Sequence, residues 1–137
     1  MNIYNLQIFS QNVKKNKILT DIILEEQKNI SDITLIQELP CYLIHNLSSN
    51  TNSKGDLLYS APKHSEWLFL IWNSSSINNI PCIITYINKQ VSKLKFLLRL
   101  NIINHWDINI MLFHNNQNIN YIINVYPDNN QVTFQIL

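Results

Sequence analysis

Apolar runs of strand length recur along the chain, separated by turns rich in asparagine and serine. Leu6 to Val13 alternates apolar and polar side chains and is rich in strand formers, which predicts a strand ending near Asn12. From Ile18 to Gln27, the residues Ile18, Ile22 and Ile23 fall at helical spacing, with Asp21, Glu25, Glu26 and Lys28 on the other side. That is the pattern of an amphipathic helix. Ile33 to Glu38 is a short, mostly apolar run closed by Pro40, as in a central strand buried on both faces. Strand, helix and strand in that order predict a β-α-β opening.

Beyond it the pattern changes. Residues from about 46 to 56 form a polar loop. Strand-like runs follow at Trp67 to Trp72, Cys82 to Asn88, Leu94 to Arg99, Ile108 to Phe113 and Tyr121 to Tyr126. Most are joined by Asn/Ser turns with no long helix between them, which predicts an antiparallel meander. The stretch from Asp128 to Leu137 reads as an Asp/Asn cap and the first turns of a further helix. The whole is α+β, mostly antiparallel or mixed strands with few helices, in a single domain over residues 1–137.

Composition narrows the function classes. A chain of 137 residues can bury one modest core. Its 46% hydrophobic content is that of a globular protein, while 14% charged residues is low against about 25% in soluble proteins. Asparagine supplies the missing polarity, and its pairing with isoleucine fits an AT-rich coding sequence. Gly55 is the only glycine, and nucleotide-binding loops need glycine so that backbone can approach phosphate. P-loop and dinucleotide folds are thereby excluded.

A net charge of +1 sets up no global field for nucleic acid and leaves room only for a local patch. Lys14, Lys15 and Lys17 beside Asn12 are either a solvated face or, with Arg99, a place to hold nucleic acid. Cys41 and Cys82 fit no C-x-x-C spacing, and buried free thiols are expected rather than a disulfide. No secretory signal is visible, and the apolar runs fall far short of the roughly 20 residues of a membrane span. The expected location is the nucleus or cytoplasm, neither secreted nor in a membrane.

Three segments place polar groups where strands end. They are Gln11-Asn12-Val13, then Ile36-Gln37-Glu38, and Asn124-Val125-Tyr126. A carboxylate ending a buried strand needs a partner, a metal or an opening to solvent. A hard cation such as Mg²⁺ takes oxygen ligands and often only one or two carboxylates, with water and phosphate completing the shell. Asn124 and Tyr126, two residues apart on a strand, point the same way, where an amide and a phenol can both meet a phosphate oxygen.

In that order, with a meander between, these segments resemble the first half of the endonuclease/exonuclease/phosphatase family. The likeness extends through Ala61 to Trp67, Ile84 to Asn88, Leu97 to Arg99 with Asn104-His105, and Ile123 to Tyr126. These stretches look like the endonuclease domains of fungal LINE-type retroelements, so the resemblance covers nearly the whole chain. It implies a four-layered α/β sandwich of the deoxyribonuclease-like fold, acting on DNA with Mg²⁺. By the same resemblance Glu38 is the metal ligand, Asn12 positions it, and Tyr126 contacts the scissile phosphate with Asn124 as a further substrate contact. The implied chemistry is metal-assisted phosphodiester hydrolysis, in which Lewis-acid stabilisation of the developing charge accompanies an oriented water.

The resemblance stops short of the family's second half. No Gly-Asp-Phe-Asn-like or Ser-Asp-His-like segment occurs in these residues. His45, His64, His105 and His114 precede the third segment, and none shows a partner at ligand or catalytic spacing. Asp107, two residues after His105, reads as turn polarity. A truncated domain without nuclease activity of its own is therefore expected, with uncovered sheet surface that could drive self-association. A non-catalytic nucleic-acid-binding module of the same fold is the alternative. A phosphomonoesterase-type relative is a third reading, opposed by the retroelement-like stretches between the motifs.

Overall fold

The computed structural model describes residues 6–46, 57–72, 80–90, 98–114 and 119–126. The β-α-β opening is there. β1 (Ile8–Asn12) runs parallel to β2 (Ile33–Gln37), with Ile8 opposite Ile33 and Asn12 opposite Gln37, and α1 (Lys17–Gln27) crosses between them. Asn16 caps α1, its side-chain oxygen accepting from the Leu19 N–H at 3.0 Å. At the other end the Asn88 amide donates to the carbonyls of Lys28 and Ser31, fixing the turn into β2.

The buried face of α1 departs from the expected one. Thr20, Ile23 and Leu24 face inward, whereas Ile18 is 72% and Ile22 46% exposed. Thr20 can be buried because its hydroxyl donates to the Asn16 carbonyl at 2.8 Å, so it carries no unpaired polar group inside. Leu24 is drawn in by its carbonyl, which accepts from the Trp67 indole N–H at 2.9 Å.

β3 (Tyr42–Asn46) and β4 (Leu57–Ser60) pair antiparallel, a hairpin that apolar periodicity did not announce. Of the polar loop, residues 47–56 lie outside the described residues. β5 (Trp67–Leu70) and β6 (Ile83–Asn88) do not join the later meander. They extend the first sheet, giving the order β1-β2-β6-β5 with β6 antiparallel to both neighbours. The meander is confined to β7 (Leu98–Asn104), β8 (Ile108–His114) and β9 (Ile119–Val125). Residues 94–97 of the expected strand and the expected helix after Asp128 lie outside the described residues.

The result is α+β, strand-rich with a single long helix among the described residues. Alternate residues of β2 and β6 serve two cores. Ile36, Ile84 and Tyr86 pack with Val13, Ile23, Leu24 and Trp67 under the helix. Ile33, Leu35 and Ile87 pack against Met111 and Ile122 of the three-stranded sheet. Helix, four-stranded sheet and three-stranded sheet thus stack as layers, and the central strand is buried on both faces as its composition predicts. No helix among the described residues is long and apolar enough to cross a membrane.

Candidate functional site

The parallel pair β1 and β2 ends at one edge of the first sheet, and β9 ends beside it. Three backbone bonds fasten this edge. Val13 N–H donates to the Gln37 carbonyl at 3.0 Å, Lys15 N–H to the Glu38 carbonyl at 2.6 Å, and Tyr126 N–H to the Asp107 carbonyl at 2.9 Å. Lys14, Lys15 and Glu38 sit in the left-handed region at φ of 51°, 60° and 49°. Each such non-glycine residue costs on the order of 1 kcal/mol. In a chain with one glycine these turns must be built from ordinary residues, and the bonds just named hold them there.

Across this edge the Tyr126 hydroxyl donates to Glu38 Oε1 at 2.9 Å, joining residues far apart in sequence. That bond, and then the charge of the same carboxylate, hold the Tyr126 hydroxyl above its ordinary value of 10.0. A raised folded value means the stabilisation is fully present below the unfolded value and is lost as pH rises through the folded one. The contact is therefore intact at neutral pH and loosens in alkali as the phenol ionises.

Glu38 and Tyr126 open into a pocket of about 540 Å³ that Lys15, Cys41, Tyr42 and Cys82 also line. Both cysteines are free and half-buried, and burial pushes both thiols up, which suppresses thiolate chemistry. An adjoining recess of about 410 Å³ is lined by Ser10, Asn12, Gln37 and, again, Tyr126. Tyr126 therefore lines both recesses, with Glu38 in the first and Asn12 in the second.

Each of these side chains has its own partners. Asn12 makes no hydrogen bond to Glu38 among the described residues. Its Oδ1 accepts from the Lys14 N–H at 2.9 Å and so braces the turn on which Lys15 holds the Glu38 backbone. Asn124 lies on the inward face of β9, 1% exposed rather than open to a substrate. Its amide donates to the Ile84 carbonyl at 2.9 Å and its oxygen accepts from Gln37 Nε2 at 2.9 Å. Gln37 Nε2 also reaches Ser10 Oγ at 3.1 Å, and Thr85 Oγ1 meets Asn109 Oδ1 at 3.2 Å. This polar seam ties the two sheets together just behind the opening.

Two histidines have carboxylate partners among the described residues. His105 Nδ1 lies 3.2 Å from Asp107 Oδ1, and His64 Nε2 lies 2.9 Å from Glu25 Oε1. The turn placing His105 and Asp107 two residues apart curls the imidazole back onto a carboxylate that is itself buried. The side chains of His45 and His114 are outside the described residues. Of the basic cluster, Lys15 lines the pocket, Lys14 is exposed, and Lys17 is paired with Asp21 at 2.7 Å. Arg99 is on β7, its side chain not among those described.

Among the described residues no group of three or more His, Cys, Asp or Glu could hold a metal ion. Glu38 is the one carboxylate lining the pocket, and the Lys15 ammonium beside it has no lone pair to offer a cation. One carboxylate suits Mg²⁺ when water and a substrate phosphate supply the remaining oxygens. No family model, curated protein or solved structure matches the chain.

Proposed function

We propose that this chain carries the metal-glutamate half of a Mg²⁺-dependent phosphodiester-hydrolysing endonuclease site of retroelement type, and that these residues alone do not turn over DNA. The observation that carries the reading is the Tyr126–Glu38 hydrogen bond beside Lys15, at the joint end of β1, β2 and β9. Glu38 would hold Mg²⁺, which when bound supplies Lewis-acid stabilisation of charge developing on the phosphate. Tyr126 donates a hydrogen bond, Lys15 adds a positive charge for the phosphate, and Asn12 with Gln37 keeps the strand ends in place. Helix, sheet and sheet in succession supply three layers toward the four-layered sandwich of the deoxyribonuclease-like fold.

Inactivity follows from non-additivity. Removing one member of a catalytic unit can erase most of its rate, and the Gly-Asp-Phe-Asn-like and Ser-Asp-His-like segments are both missing from these residues. Incubated with supercoiled plasmid and Mg²⁺, the chain should give no nicking above that of its Glu38→Ala variant. Nicking that Glu38→Ala abolishes would overturn the proposed inactivity.

A non-catalytic nucleic-acid-binding or self-associating role is the second reading. It draws on the outer face of β9, where Tyr121 is 65% and Ile123 43% exposed.

A further inference from the structure

The turn between β7 and β8 carries an unusual surface. His105 sits between two indoles, its ring centroid 5.1 Å from that of Trp72 at 40° and 6.1 Å from that of Trp106 at 48°. The His105 side chain is 49% exposed, while that of Asp107, which holds its Nδ1 edge, is 11% exposed. Both flanking carbonyls are used to dock the turn. Cys82 N–H donates to the Trp106 carbonyl at 2.7 Å and Tyr126 N–H to that of Asp107 at 2.9 Å. Cys82 and Tyr126 both line the Glu38 pocket. Backbone bonds thus tie the turn that carries His105 and Trp106 to two residues of that pocket.

We propose that Trp72, His105 and Trp106 form a stacking platform for an unpaired DNA base flanking the phosphate that enters the Glu38–Tyr126 pocket. The proposal rests on the phosphodiester reading and specifies its substrate as locally single-stranded DNA. Planar rings held at an angle present π-faces to a base, and stacking of this kind tolerates any base sequence. A duplex hides those faces between its own base pairs. Charge points the same way. With a net charge of +1 the chain sets up no global field for phosphate, and base stacking adds an attraction that salt does not screen. The ring anchored by Asp107 is ordered beforehand, which lowers the entropic cost of stacking.

Tryptophan fluorescence reads this directly. Trp67 is 3% exposed and bonded to a helix carbonyl, so quenching by an added base reports on Trp72 and Trp106. In EDTA at physiological salt, a short oligothymidylate should quench the emission, and its blunt duplex with oligoadenylate should quench far less. His105→Ala should weaken binding of the single strand about tenfold, as should Trp72→Leu on a separate segment, whereas His105→Phe keeps a ring and should retain binding. Because metal is removed, quenching does not depend on Glu38 holding a cation, whereas Mn²⁺ titration of the His105→Ala protein reads the metal site alone, so failure at the metal site and failure at the platform give different patterns. No quenching, equal quenching by duplex, or full affinity in both His105→Ala and Trp72→Leu would overturn the proposal.

Discussion

Trp67→Ala should cost the fold about 3–5 kcal/mol, the largest loss expected from any single side chain. Trp67 is 3% exposed at the start of β5. Its ring meets Tyr86 edge-to-face, centroids 6.4 Å apart at 76°, in the core beneath α1. Its indole N–H donates to the Leu24 carbonyl at 2.9 Å. Truncation therefore opens a cavity and also strips a buried carbonyl of a partner, and the two costs add. Against a total stability of about 5–15 kcal/mol, such a loss removes much of the folded population. Trp67→Phe keeps most of the volume and loses the donor, so its cost should fall to about 1–3 kcal/mol. Urea unfolding of the three proteins checks this. Equal midpoints for wild type and Trp67→Ala would show that β5 is not held through this core.

The second large effect lies in the seam between the sheets. Asn124→Leu preserves volume but leaves Gln37 Nε2 without one of its two acceptors and the buried Ile84 carbonyl without the amide that reaches it. Unpaired buried groups cost about 1–3 kcal/mol each, so the variant should lose roughly 2–4 kcal/mol. The damage should also reach the opening. Asn124 is two residues from Tyr126, and the seam fixes the end of β9 against β2. With that end released, the Tyr126 hydroxyl should return from its raised value toward the ordinary one. Ultraviolet titration of the phenols, together with unfolding midpoints, measures both consequences. Unchanged stability with unchanged Tyr126 titration would mean that the seam positions nothing.

Much of this arrangement is written locally in the chain. The β1-α1-β2 unit follows from apolar periods and from Asn16 as a cap, and the three polar strand ends do converge. What escapes local reading depends on partners. Periodicity marks β5 and β6 as strands but does not say that they join β2 rather than β7. That choice is made by Tyr86 and Trp67 finding the helix while Ile87 finds Met111. The hairpin β3–β4 is hidden because Tyr42 begins a five-residue strand directly after Pro40 and Cys41, short enough to pass for the end of a loop. Counting isoleucines does not find the inward face of α1, since Thr20 looks polar until its hydroxyl is returned to the Asn16 carbonyl.

Asn124 shows the same limit at the site. Strand alternation puts it on the face of Tyr126, but only the approach of β2 and β6 decides that it faces Gln37 and Ile84 instead of solvent. His105 and Asp107 are neighbours in sequence, yet their significance depends on Trp72, which arrives from another segment. Left-handed Glu38 carries no glycine to announce it, and its conformation is enforced from the β1 turn by Lys15.

In the proposed function, Glu38 is the residue through which this chain takes a divalent cation, beside Tyr126. Paramagnetic Mn²⁺, titrated into isotopically labelled protein, reads that position residue by residue. Amide signals of Glu38 and Tyr126 should broaden first, Asn12 and Lys15 next, and Glu38→Gln should remove the effect while leaving the remaining spectrum in place. Broadening centred elsewhere, or broadening that survives Glu38→Gln, would contradict the claim.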